Sequence, residues 1–194
     1  ITLLSTSLMV SCKKDNNTSS TLEEMITIKD INNREVKVNP GSYLRIVCIG
    51  AGALRLYSYV GDVSLLSGVE DIDNYTSVNH PKMFDDVARP YYIANKEVFK
   101  NLPSCGKGGP MAQEAESEKI LTCSPDLVIS EYDGDKANSL QEQLGVPVIT
   151  VNIGSKGVFD DQVKDSINIL GKVLGREERS KEINDYIASE KSAI

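Results

Sequence analysis

Two stretches of this 194-residue chain gather residue types suited to holding a small molecule. The first is Gly50-Ala51-Gly52-Ala53, which turns a strand-like run into a helix-like one. The first turn of a helix has unpaired donors and a partial positive charge, so the N–H groups of Ala51, Gly52 and Ala53 suit an anionic group. The other reading of these residues is a tight turn that only lets helix and sheet pack. A dinucleotide fingerprint would need a third glycine at position 55, which is Arg55, and no lysine-serine/threonine pair follows for a phosphate loop. The second stretch is Arg89-Pro90-Tyr91-Tyr92, then Leu102 to Pro110 with Gly106, Gly108 and Gly109. Its glycines bring backbone N–H groups close to a partner. Arg89, Tyr91, Tyr92 and Lys107 add cations and aromatic faces for an anionic or π-rich ligand. Here the competing reading is a structural Ω-type connection. Tyr132, in Glu131-Tyr132-Asp133-Gly134, is a further candidate for the lining.

Reactive chemistry finds little support. The single histidine, His80, sits in a polar stretch before Pro81 and reads as a solvated loop residue. No serine or cysteine nucleophile can be paired with it in a triad. The acidic pairs Asp85-Asp86 and Asp160-Asp161 fit turn and helix-start positions. No His/Cys/Asp/Glu grouping has metal-ligand spacing, so no catalytic residue, cofactor or resident metal is expected. Beyond Cys12, the cysteines are Cys48, Cys105 and Cys123, an odd number without a C-x-x-C pair, and they read as buried free thiols. The net charge of −7, with no basic cluster, argues against nucleic acid.

The elements that must position these residues alternate. Met25 to Val38 reads as a hairpin, Leu44–Ile49 as a buried strand, and Ala53–Val60 as a helix ending at Gly61. Val63–Val69 reads as a strand and Asp71–Pro90 as an irregular loop with a short helix. Glu114–Thr122 follows as a helix, Pro125–Ser130 as a strand, Asp135–Leu144 as a helix closed by Gly145, and Pro147–Val151 as a strand. Asp160–Leu174 is a helix closed by Gly175, with a new helix from Arg176. Short apolar strands between helices imply a parallel α/β sheet covered on both faces, with ligands at its carboxyl edge. In the last two helices, Val163, Ile167, Leu170 and Leu174 form one apolar stripe. Ile183, Tyr186 and Ile187 form another, expected to stay partly uncovered and to promote fraying or association.

Before the hairpin, Leu8-Met9-Val10-Ser11-Cys12 closes an apolar run on a small residue and a cysteine. The run is too short to span a bilayer and looks like a bacterial lipobox. The polar residues Lys13 to Ser20 read as a tether. Cys12 is therefore the expected lipidation site and membrane anchor.

In this setting, Arg45 to Leu56, Gly68-Val69-Glu70-Asp71, Arg89-Pro90-Tyr91, the Leu102–Pro110 loop, Ser124 to Ile129 and Leu170 to Arg179 occur in a telling order. Together they resemble the substrate-binding proteins of ABC importers for iron–siderophore complexes, haem and cobalamin. The resemblance implies the N-terminal lobe of a two-lobed periplasmic-binding-protein fold, a parallel sheet flanked by helices that ends in the start of the long interlobe helix. It divides the chain into a signal-peptide remnant (1–12), a tether (13–24), an α/β lobe (25–175) and the start of the interlobe helix (176–194), with the second lobe absent. The implied function is extracytoplasmic capture of a metal complex, iron–siderophore foremost, and delivery to an ABC permease. Haem, a corrinoid or an oxyanion such as molybdate are alternatives, as are an exported α/β enzyme and an adhesive surface lipoprotein. Ala51, Gly52, Ala53, Arg89, Tyr91, Tyr92, Gly108, Gly109 and Tyr132 are the expected ligand-lining residues.

Overall fold

A computed structural model describes residues 25–109 and 112–194. Cys12, the tether and Pro110 lie outside the described residues. Strands β1 (Ile26–Lys29) and β2 (Glu35–Val38) form an antiparallel hairpin. Asp30 shapes its turn: Oδ1 accepts from the N–H groups of Asn32 and Arg34 at 3.1 and 3.0 Å. Strands β3 (Ile46–Ile49), β4 (Leu66–Gly68), β5 (Leu127–Ser130) and β6 (Val148–Thr150) form a parallel sheet in the order β4-β3-β5-β6.

Alternation along the strands sorts side chains onto two faces. Ile46, Cys48, Leu127, Ile129 and Ile149 meet helices α1 (Ala53–Val60) and α5 (Asp161–Leu174) in the larger core. Val47, Ile49, Val128 and Val148 meet α3 (Ser117–Thr122) and α4 (Gly134–Leu144) in the smaller one. Burial on both faces is why these strands are continuous apolar runs. The helix ends follow their local signals. Asp133 and Asp160 cap α4 and α5 by accepting from the N–H groups of Lys136 and Gln162, while Gly145 and Gly175 close them in left-handed conformation.

Three expectations are corrected. The expected strand Val63–Val69 is a 3-10 turn followed by the three-residue β4. Arg89-Pro90-Tyr91-Tyr92, read as loop, opens helix α2 (Pro90–Phe99). Proline is favoured in the first turn of a helix, but α2 buries only Phe99 and so shows no apolar period to reveal it. The last helix, α6 (Glu177–Ser192), is partly covered, as expected from its sequence. Ile183 and Ile187 are half-buried against the larger core, leaving Tyr186 65% exposed. The close approach is made by Gly171, where an added Cβ would fall 2.4 Å from Ser180 Oγ. On α5, Val173 rather than Leu174 completes the fully buried stripe.

Candidate functional site: the carboxyl edge of the sheet

The loops leaving β3, β4, β5 and β6 meet at one edge and are tied together by two carboxylates, one buried and one partly buried. Glu70, just past β4, accepts from the Gly50 N–H at 2.9 Å and also from the Gly109 N–H. Burial pushes its carboxyl up to about 8, and Asp73 and Asp71 nearby push the same way. Glu131, just past β5, accepts from the Ile153 N–H at 3.2 Å, and partial burial raises its carboxyl as well. Neither acid was singled out from the sequence. Their one signal is position: each lies at the carboxyl end of a buried strand, where the side chain can reach a neighbouring turn.

The expected site residues fall into three groups. The first joins Gly50, Gly52, Gly108 and Gly109. Gly50 and Gly52 have φ of +87° and +105°, and their missing side chains are filled by Glu131 and Ile153. A Cβ on Gly52 would meet Ile153 at 2.4 Å. The packing account of these glycines is thus satisfied within the lobe. Ala51 is exposed, whereas the Ala53 side chain is fully buried, so only its N–H remains to face a ligand. The Gly108–Gly109 stretch rests on Glu70 and Ile72, in contact distance of a would-be Cβ. Its approach is fixed by a short parallel pairing beyond β4: Cys105 N–H donates to Val69 O at 2.9 Å and Asp71 N–H to Gly106 O at 2.8 Å.

The second group is Arg89, Tyr91 and Tyr92, gathered around Asp73. Arg89 Nη1 donates to Asp73 Oδ1 at 2.6 Å, Nη2 to Ile72 O at 3.0 Å, and Tyr91 OH to Asp73 Oδ1 at 3.0 Å. The guanidinium lies 4.3 Å over the Tyr92 ring. Burial raises the Asp73 carboxyl despite Arg89 beside it, and Arg89 Nε is buried without a partner. These side chains are engaged with one another rather than open. Tyr132 stands apart as the third: its OH donates to Ala112 O at 3.2 Å, and it lines a hollow of about 230 Å³ beside α4.

His80 is a correction. Its side chain is 6% exposed rather than solvated. Nδ1 lies 2.8 Å from Asp71 O, an acceptor, so it donates there, and Nε2 faces Asp85 Oδ1 at 2.7 Å. Sequence spacing could not show this, since the partners depend on how the 71–85 segment folds back. The three cysteines Cys48, Cys105 and Cys123 are buried free thiols as expected, and burial raises all three.

Curated protein sequences include no match to this chain. Among solved structures, its fold is similar to the periplasmic catecholate-siderophore binding protein VctP from Vibrio cholerae, with 21% identity, 88% of this chain and 53% of that chain covered, and a TM-score of 0.60. It is similar to the molybdate periplasmic binding protein MolA from Haemophilus influenzae, with 15% identity, 81% and 48% covered, and a TM-score of 0.59. It is also similar to the petrobactin-binding protein YclQ from Bacillus subtilis, with 18% identity, 82% and 48% covered, and a TM-score of 0.57. The chain spans about half the length of these structures. At these identities the likeness is one of fold. The family profile named Periplasmic binding protein matches residues 87–194, more than half of the sequence. With its parallel sheet and its loops converging at the carboxyl edge, this chain belongs to the periplasmic binding protein family.

Proposed function

We propose that this chain is one lobe of an extracytoplasmic binding protein that captures a metal complex, iron–siderophore foremost, and delivers it to an ABC permease. The observation that carries the reading is the carboxyl edge itself. Loops from β3, β4 and β5 converge there on Glu70 and Glu131, whose carboxyl groups hold the N–H groups of Gly50, Gly109 and Ile153 in place. Ligand is held by the N–H groups of the Gly50–Ala53 turn, the Gly108–Gly109 stretch, the tyrosines and Tyr132, with Arg89 acting through Asp73 and Tyr92. Residues 25–175 serve as the lobe, residues 176–194 begin the connection to a second lobe, and Cys12 anchors the protein to the membrane.

Purifying the full-length protein natively from its own cells, followed by mass spectrometry, tests the capture reading. A co-purifying iron chelate, haem or corrinoid is expected. A protein that carries no solute and binds none of these, nor molybdate, overturns it. Cys12→Ser should release the protein from the membrane fraction; retention there overturns the anchor.

A further inference from the structure

The 71–85 segment folds back on itself beside the β4 end of the carboxyl edge, and one side chain closes the fold. His80 reaches back nine residues to the Asp71 carbonyl and forward five to the Asp85 side chain. We propose that His80 is a proton-controlled clasp, holding the 75–85 segment closed while its ring carries two protons and releasing the Asp85 end when one is lost. The proposal goes beyond the capture reading and stands whether or not that reading holds.

Nδ1 lies 2.8 Å from a carbonyl oxygen, which only accepts, so Nδ1 carries a proton. A neutral imidazole has a single N–H. Its Nε2 would therefore aim a lone pair at Asp85 Oδ1, 2.7 Å away, and an ionised carboxylate has no proton to offer. The other tautomer only moves the mismatch to the Asp71 carbonyl. A second ring proton removes it, and the contact becomes a charge-assisted bond from imidazolium to carboxylate. The charges around the ring favour that state. Among the described residues, Asp71, Asp73 and Asp85 are the acids and Lys82, Lys96 and Arg89 the cations, with the Tyr75 and Tyr92 hydroxyls beside them. Arg89 is spent on Asp73, and both lysines are exposed, where water weakens their field. Asp71 is buried: Oδ1 accepts from Ser77 Oγ at 2.6 Å, and Oδ2 has no hydrogen-bond partner. Among the described residues its carboxylate is in no ion pair, and a charged ring beside it supplies the missing cation.

The two ends of the clasp differ in firmness. Asp71 is fixed by backbone bonds: its N–H donates to Gly106 O at 2.8 Å, and that of Ile72 to Lys107 O at 3.2 Å. The Asp85 side chain is 52% exposed, so a released carboxylate is hydrated at once. Between the two ends, the turn at Lys82–Phe84 buries no residue. Its backbone bonds close on itself, from the Phe84 N–H to Pro81 O and from the Asp85 N–H to Lys82 O. A segment held by so few contacts opens locally at little cost. It forms one wall of a hollow of about 490 Å³, with α2 as the other. The wall is closed at low pH, and loss of the clasp proton at higher pH widens the hollow without unfolding the sheet. Imidazole suits such a device, because its charge changes in the physiological range.

NMR of the full-length protein labelled with nitrogen-15 tests the clasp, with His80→Gln assigning the ring signals. The sample is titrated from about pH 5 to about pH 9. At the acid end both ring nitrogens are expected to carry protons; at the alkaline end Nε2 is expected to have lost its own while Nδ1 keeps its bond to Asp71. Across that titration the protection factors of the Phe84, Asp85 and Val87 amides against hydrogen exchange should fall about tenfold or more, while those of β6 stay constant. His80→Gln should show no such pH dependence. Asp85→Asn gives a neutral Nε2 a side-chain N–H to accept, so this variant should keep the segment protected at the alkaline end. Thermal unfolding checks that both variants keep the fold. A ring that holds one protonation state throughout overturns the proposal. So does protection that does not follow the ring's titration, or a pH dependence retained in His80→Gln.

Discussion

Among the described residues there are two buried aspartate–arginine pairs, one on each flank of the sheet, and they are finished differently. On the β6 flank, Asp30 Oδ2 accepts from Arg34 Nη1 at 2.7 Å and from the Thr150 N–H at 3.2 Å. Arg34 also donates to the Val148 carbonyl and to Asn138 on α4. Hairpin, sheet edge and helix meet in one network, with the Asp30 side chain fully buried. On the β4 flank, among the described residues, the Arg89 and Asp73 side chains hydrogen-bond only to partners between residues 72 and 91, and Arg89 Nε has none. The first pair staples distant segments; the second shapes a local surface beside an open hollow. What separates scaffold from candidate site here is the reach and completeness of the hydrogen bonding, not the residue types.

The largest expected effect comes from breaking the two pairs in parallel. Arg34→Ala leaves a fully buried carboxylate without its cation, so a loss of about 3–5 kcal/mol is expected in urea denaturation. Arg89→Ala opens a more local cluster, where Tyr91 still donates to Asp73, and a loss of about 1–3 kcal/mol is expected. Equal losses would erase the distinction between the flanks.

A second test sharpens it through the two edge acids. Glu70 is raised from an ordinary 4.5 to about 8, so the unfolded chain gives up this proton first as pH rises. Stability therefore falls between about pH 4.5 and 8 and levels off above. Glu70→Gln keeps the shape and removes the titration. At pH 8.5 the variant should exceed the native protein by roughly 2–4 kcal/mol, with the gap closing toward pH 4. Glu131 on the other flank is less buried and raised less far, so Glu131→Gln should show the same sign and a smaller gap. A Glu70 gap that grows toward low pH would contradict the buried, cation-free setting assigned to it.

The smallest effect is expected at His80. Removing the ring in His80→Ala unties the 75–85 segment from Asp71 but leaves both cores intact. Global stability should change by less than about 1 kcal/mol. Amide exchange should quicken in residues 77–85 and stay constant in β6. Faster exchange in β6 would mean the flanks are coupled through the sheet.

Much of the fold was legible in the chain. Buried strands announced themselves as runs such as Leu127–Ser130, because both faces of a parallel sheet are covered and the polar alternation vanishes. The C-terminal ends of α4 and α5 were legible at Gly145 and Gly175, and the start of α5 at Asp160, residues whose side chain or lack of one solves a local backbone problem. Helix α2 was not legible, because it buries one residue and shows no period. The candidate site was legible only in part. Sequence alone pointed to the strand-end loops and to Arg89, Tyr91 and Tyr92. It did not reveal that Arg89 is engaged with Asp73 or that His80 is buried.

By itself, the sequence determined the strand–helix order, the glycine turns and the acidic balance, all properties of a residue and its near neighbours. Tertiary structure alone decided that Glu70 is buried under Gly50 and Gly109, that Asp30 reaches Thr150, and that Arg34 reaches Asn138. Those relations join residues far apart along the chain, and burial sets their electrostatics. A carboxyl group's proton affinity and an arginine's set of partners depend on what folding places next to them, which no local pattern encodes.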